Sequence, residues 1–556
     1  MKLLFVVLFF SLNANAFTLS PESKQKALEH LKKLTLKQKI AQMTQAERQH
    51  ATPEQVKKYG LGSILSGGGS NPTPNTPQAW KEMVKNYYFQ SMESAAKIPL
   101  IYGVDAVHGH NNVLGATIFP HNIGLGVAND LELTKKMGEI VAKEMKATGI
   151  YWNFAPTTAI AMDKRWGRFY ESFSNDTKKV TELSMAYMLG LQQEGVLATP
   201  KHYLGDGGTE FGHDRGDTIL SEEEIRKIHL PPYVEAIKKG ALSIMVSFSS
   251  INGEKMHGHK YWITDVLKNE LGFSGFTVSD WNGIEELDGD YKEQIMKSVN
   301  AGIDLFMVPE RWLEFMTLLE ELVSEEKVSL KRIDDAVYRL LAVKYEMGLF
   351  NLSFEDNESF GTKEHRGIAD ALAKKSVVIK NKEGLLNLKN KRILLTGKAA
   401  NNTGYQCGGW TVEWQGVKEN VPGATSLFNS LKSLGANVTY ISTDKLTTID
   451  ASKFDIAVTV MGENPYTEMM GDIVMNEYPY PDRTPYGFTL DYYSLHPEDK
   501  KVITNLKELN LPIVSVIYSG RELDFKTLYS DSISTVLAWL PGSETRGLAE
   551  LILGIK

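Results

Sequence analysis

Short apolar runs alternate with longer amphipathic stretches along most of this chain. The mature region opens with an amphipathic helix that leads into residues 35–40. Apolar runs follow at 61–65, 100–107, 151–156, 198–204, 242–248, 276–280 and 303–308. Several are apolar almost without interruption, as strands of a parallel sheet covered on both faces are. Gly, Asp, His or Asn follows each run, and then a helical pattern such as 221–239. Repeated βα units over about 330 residues predict a TIM-like (β/α)8 barrel spanning 17–348. An open doubly wound sheet is the alternative pattern, but it rarely runs to this length.

The tract 349–364 is polar and rich in Asn, Asp, Glu and Gly, and reads as a linker. Beyond it a second α/β pattern occupies 365–556. Its strands are expected at 392–395, 437–441, 455–460, 513–517 and 535–539, with helices such as 425–434 and 497–509 between them. The fold class is therefore α/β, a barrel followed by a smaller α/β sandwich with a mostly parallel sheet. Two large domains also suit a length of 556 residues.

At the N-terminus, Lys2 precedes an apolar stretch, and Ala14-Asn15-Ala16 offers a small-x-small cleavage site. This predicts a signal peptide over residues 1–16 and an exported protein, periplasmic or secreted. The apolar stretch is far shorter than the roughly 20 residues of a membrane span. Cys407 is the single cysteine, so it reads as a small packed residue rather than half of an intrachain disulfide. A net charge of -7 argues against a nucleic-acid partner.

In a parallel barrel, functional side chains project from the C-terminal ends of the strands. Those ends carry Asp105, Lys201, His202, Asp280 and Trp281, with Arg168 in the loop after the run at 151–156. Charged groups closing apolar strands are costly to bury unless they serve a site. Asp280 followed by Trp281 suits carbohydrate, because the C–H faces of sugar rings pack on indole. The loop at 66–72 is glycine-rich but lacks the Lys-Ser/Thr of a phosphate-binding loop, so it reads as a plain barrel loop.

Longer blocks carry a family resemblance. Lys201-His202-Tyr203-Leu204-Gly205-Asp206-Gly207-Gly208-Thr209 and the run Gly275 through Trp281 resemble glycoside hydrolase family 3. So do Asp105-Ala106-Val107-His108-Gly109-His110-Asn111-Asn112-Val113, the block from Arg165 through Ser172, Thr44-Gln45, and the block from Gly408 through Gly416. The match is closest to two-domain β-glucosidases and exo-β-glucanases of that family. The resemblance implies an active site between barrel and sandwich, with Asp280 as nucleophile. It implies that Asp105, Arg168, Lys201 and His202 hold the innermost sugar, and that Trp281 and Trp414 sandwich the next one. Glu468, in Gly462-Glu463-Asn464-Pro465-Tyr466-Thr467-Glu468, matches the acid/base; Glu463 is its rival and reads as structural. The implied activity is exo-acting, retaining hydrolysis of β-glucosides or β-glucans through a glycosyl-Asp280 intermediate. The implied partner is a β-linked oligosaccharide or glucoside, and no cofactor.

On this reading Lys201 and Arg168 favour an ionised Asp280, whereas Glu468 needs a setting that raises its pKa. Tyr466, Met469 and Met470 are the residues expected to provide that setting. The histidines at 108, 110, 121, 202, 213, 257 and 259 show no H-x-x-x-H spacing, so they read as hydrogen-bonding groups rather than metal ligands. The pair His213-Asp214 reverses the Asp-His order used by single-domain N-acetylglucosaminidases of the family. Asp206 reads as a loop-shaping carboxylate. Phe248 stands where many relatives carry tyrosine, and Glu286 where the plant enzymes carry arginine. The chain ends at Lys556, where family members usually add a segment closing the second domain. A β-N-acetylglucosaminidase, a β-xylosidase and a non-catalytic glycan-binding relative are the alternative functions.

Overall fold

The computed structural model describes residues 17–354, 359–381, 386–473 and 490–555. The predicted signal peptide lies outside these residues, as does part of the predicted linker. Among the described residues no helix is long and apolar enough to cross a membrane.

Eight parallel strands form the first layer: β1 Thr44–Glu47, β2 Ser63–Ser66, β3 Ile101–Val104, β4 Trp152–Asn153, β5 Leu197–Ala198, β6 Ser243–Met245, β7 Phe276–Val278 and β8 Phe306–Met307. Ladders join them in the order β8-β1-β2-β3-β4-β5, with β6 paired to β7. Single bridges, Tyr203 to Val246 and Val278 to Leu305, connect the two pieces into a closed barrel. Trp152 fills its interior, set edge-on to Phe154 and Phe276 with ring centroids 4.8 and 5.4 Å away. Gly103 makes room for this cluster: a Cβ there would lie 2.3 Å from the Phe154 ring.

Two elements depart from the pattern expected of the sequence. The strand β1 was not expected, because Thr-Gln-Ala-Glu lacks an apolar run. It is nevertheless buried throughout, since its polar donors find partners inside: Thr44 Oγ1 donates to the Ile40 carbonyl at 2.9 Å, and Gln45 Nε2 to Ser63 Oγ at 2.8 Å. The helix expected over 221–239 is two helices, Glu222–Ile228 and Pro231–Lys238. Pro231 and Pro232 have no N–H for the i−4 bond, so the helix must restart there. The first of the pair begins with a capping box, Ser221 with Glu224.

The second sheet contains β9 Val378–Asn381, β10 Ile393–Thr396, β11 Val438–Tyr440, β12 Ile456–Gly462, β13 Ile513–Tyr518 and β14 Ser534–Leu537. Their order is β9-β14-β13-β12-β10-β11, parallel except for the edge strand β9, which sequence patterning had not resolved. Alternation along β10 divides its side chains between two cores. Ile393 and Leu395 pack with Leu427, Leu431, Leu548 and Ile552. Leu394 instead joins the larger cluster that reaches Ile503, Leu506 and the barrel. Between the domains, the helix Lys363–Ser376 packs on the barrel helices Asn122–Ala128 and Leu131–Ala147, and on Arg546–Leu553 of the sandwich. Cys407 is buried with Ala116, Ile118 and Val421 at the same junction.

Candidate active site

A cavity of about 300 Å3 opens at the C-terminal ends of the barrel strands, under loops of the second domain. It is lined by all eight of the residues predicted from sequence: Asp105, Arg168, Lys201, His202, Asp280, Trp281, Trp414 and Glu468. Its volume is at the lower end of small-molecule sites.

Asp280 ends the turn after β7. Its Oδ1 accepts the Trp281 N–H at 2.7 Å, and its own N–H donates to His257 Nε2 at 3.0 Å. These bonds fix the carboxylate and leave Oδ2 buried without a hydrogen-bond partner. His202 Nε2 lies 3.6 Å from Oδ2. Burial raises the pKa of Asp280 to about 7, against the lowering effects of Arg168 and Lys201. Arg168 and Lys201 favour the ionised form, as expected, but desolvation outweighs them.

Arg168 lies in the short helical turn Gly167–Glu171 after β4. Its guanidinium holds Glu171 through two bonds, 2.8 and 3.1 Å, and donates to His202 Nε2 at 3.1 Å. Because arginine only donates, Nε2 is the acceptor, and the proton of neutral His202 sits on Nδ1. That Nδ1–H meets Asp206 Oδ2 at 2.6 Å, so Asp206 does more than shape a loop: it fixes a tautomer. Lys201 Nζ donates to Asp105 Oδ1 at 2.6 Å.

Glu468 arrives from the loop after β12. Tyr170 of the barrel anchors this loop by donating to the carbonyls of Tyr466 and Thr467 at 3.1 and 2.9 Å. The carboxylate of Glu468 faces two guanidinium groups, Arg168 at 3.8 Å and Arg215 at 3.3 Å. Burial raises its pKa, but the two arginines outweigh that and hold it below the usual value. This corrects the apolar setting expected around Glu468. Met470 is indeed buried, yet the groups nearest the carboxylate are cations supplied by the barrel. Glu463 is built into the sandwich instead. It accepts from Tyr466 Oη, Ser519 Oγ, the Gly520 N–H and Arg521 Nε at 2.8–3.1 Å.

Several residues of the site were missed from sequence. Glu171 also accepts Trp410 Nε1 at 3.2 Å, tying the sandwich to the partner of Arg168; its place three residues after Arg168 was the available signal. Gly67 and Gly68, read as a plain loop, pack on the entrance tryptophans. A Cβ on Gly67 would lie 3.0 Å from the Trp281 ring, and one on Gly68 2.6 Å from Trp414 Cα. Arg215 carried no signal at all. His108 and His121 stack at 3.6 Å and bond across the domain junction to Thr411 Oγ1 and the Gly409 carbonyl.

Two buried carboxylates on separate domains, facing one cavity with cationic groups and indole walls, define a glycoside hydrolase. Residues 35–343 match the model of the glycosyl hydrolase family 3 N-terminal domain, and residues 376–556 that of its C-terminal domain. The chain is 31% identical to a lysosomal β-glucosidase of Dictyostelium discoideum, covering 94% of this chain and 70% of that one. It is 26% identical to a periplasmic β-glucosidase of Salmonella typhimurium, over 96% and 73%. The crystal structure of an exo-1,3/1,4-β-glucanase from a Pseudoalteromonas species superposes with a TM-score of 0.90 at 39% identity, over 97% and 69%. The chain belongs to glycoside hydrolase family 3. It is an exo-acting β-glycosidase of the retaining type.

Proposed function

We propose that Asp280 is the nucleophile and Glu468 the acid/base of this hydrolase, acting on β-glucosides or β-glucans. The observation that carries the assignment is Asp280 Oδ2, a buried carboxylate oxygen with no hydrogen-bond partner, facing the cavity. In the first step Oδ2 attacks the anomeric carbon while Glu468 gives its proton to the departing glycosidic oxygen. In the second step Glu468 takes a proton from water, which hydrolyses the glycosyl-Asp280 ester. Asp105, Arg168, Lys201 and His202 bind the hydroxyls of the inner sugar. Trp281 and Trp414 stack on the leaving sugar at the mouth. Export through a leader at residues 1–16 accords with the Salmonella relative, which is named periplasmic. Residues 17–348 would form the barrel unit and 365–556 the sandwich, joined by 349–364.

Incubation with a 2-deoxy-2-fluoro-β-glucoside, followed by peptide mass spectrometry, tests the assignment. The expected label is one fluoroglucosyl group on Asp280; a label on any other residue overturns it. Parallel assays with aryl β-glucoside, β-xyloside and N-acetyl-β-glucosaminide fix the sugar.

A further inference from the structure

Beside the catalytic pair lies a chain of alternating charges. Lys255 Nζ pairs with Glu286 Oε2 at 2.7 Å, Glu286 Oε1 with Arg215 NH1 at 2.9 Å, and Arg215 NH2 with Glu468 Oε2 at 3.3 Å. The Arg215 guanidinium lies 3.9 Å over the Phe248 ring, and Lys255 also donates to the Arg215 carbonyl at 3.0 Å. Phe248 therefore serves as a platform for a cation where relatives present a hydroxyl. The Arg215 backbone is held in the left-handed region, at φ +59°, a conformation that costs energy for a non-glycine residue. Strain, stacking and two carboxylates thus converge on one side chain.

Resting on the reading of Glu468 as acid/base, we propose that Arg215 is a positioning residue. It divides one guanidinium between Glu286 and Glu468, so that a carboxylate outside the catalytic pair sets the protonation of the acid/base. Arg168, the other cation at Glu468, is already committed to Glu171 through two bonds. Arg215 approaches Glu468 more closely, at 3.3 Å, while holding Glu286 at 2.9 Å. The remaining charged groups that act on Glu468 and Arg215 are Lys201, Asp206, Asp214 and Asp280, with His202 and His257 as buried imidazoles.

The direction follows from charge. Removing Arg215 withdraws a cation from Glu468 and raises its pKa. Removing the charge of Glu286 releases Arg215 to Glu468 and lowers it. Two coupled carboxylates give a bell-shaped kcat/KM profile whose two apparent pKa values belong to the pair. The midpoint of the bell is their mean, and it moves whichever residue dominates a limb.

The test compares this midpoint for phenyl β-glucoside in the wild-type protein, Arg215→Gln, Arg215→Lys and Glu286→Gln. Arg215→Gln should move it up by about half a pH unit or more, and Glu286→Gln should move it down. Arg215→Lys, which keeps the charge, should stay close to wild type. Shifts in the same direction for Arg215→Gln and Glu286→Gln, or no shift, overturn the proposal. Glu468→Ala separates this failure from that of the underlying assignment. Azide rescue of that variant with no midpoint shift at Arg215 sinks the role of Arg215 alone. A Glu468→Ala variant with an unchanged bell and no rescue sinks both.

Discussion

Met469 donates its backbone N–H to Asp214 Oδ2 at 3.0 Å, so a barrel loop grips the sandwich loop one residue beyond Glu468. Gly167 completes the clamp by donating its N–H to the Met469 carbonyl at 2.7 Å. A Cβ on Gly167 would lie 2.4 Å from that oxygen and 2.5 Å from the Glu468 carbonyl. Glu468 is therefore placed by contacts between domains rather than by its own strand. Asp214→Ala and Gly167→Ala should each lower kcat/KM for phenyl β-glucoside by about 10²-fold, the cost of a misplaced catalytic group. With 2,4-dinitrophenyl β-glucoside, whose leaving group needs no acid, the loss should be far smaller. Equal losses on both substrates would separate the clamp from Glu468.

The ionisation of Asp280 can be read directly with that activated substrate. Only the carboxylate attacks, and burial raises its pKa to about 7. Below that value the residue is protonated and inert, so kcat/KM should rise with pH through a single step near 7 and then level off. Lys201 favours the ionised form. Lys201→Met should therefore move the step to higher pH, beyond any loss of substrate binding. A step left in place would show that Lys201 does not act on the nucleophile.

The apolar runs made most barrel strands legible, because a strand covered on both faces must be apolar throughout. The same rule exposed Asp105, Lys201, His202 and Asp280, which interrupt that pattern at strand ends. It failed for β1, where polar side chains are buried and their donors are satisfied by Ile40 and Ser63. It also failed for the surroundings of Glu468. The sequence neighbours Tyr466, Met469 and Met470 suggested an apolar pocket, yet Arg168 and Arg215, the latter 253 residues away, supply the decisive charge. Local composition cannot report a contact created by docking one domain on another. The loop at 66–72 shows the same limit, since its glycines answer to Trp281 and Trp414 across the cavity.

Glu463 and Glu468 stand five residues apart in one loop, and stability separates their roles. Glu463 is buried against Arg521, whose side chain has 0% exposure, at 3.1 Å. Glu463→Ala leaves that guanidinium buried without its counter-charge, a loss of about 3–5 kcal/mol. Thermal melting should register this loss, and azide should not restore the rate. Glu468→Ala should melt close to wild type and regain activity toward 2,4-dinitrophenyl β-glucoside with azide. Exchanged behaviour between the two variants would reassign the acid/base to Glu463.

The width of the entrance depends on a backbone with no side chain. Gly68 faces the main chain of Trp414, and an added Cβ would lie 2.6 Å from its Cα and 2.8 Å from its nitrogen. Backbone atoms cannot rotate away as a side-chain tip does, so Gly68→Ala must displace the segment carrying Trp414. Trp414 is 37% exposed, which leaves its indole accessible for stacking on a sugar. The atoms nearest the added Cβ all belong to Trp414, not to Asp105, Arg168, Lys201 or His202 of the inner subsite. Gly68→Ala should therefore raise KM for a β-linked diglucoside by about three- to tenfold, the scale of one aromatic stacking contact. KM for methyl β-glucoside, which has no outer sugar, should change little. Equal effects on both substrates would mean that the displacement reaches the inner subsite, and Trp414 would lose its assignment to the leaving sugar.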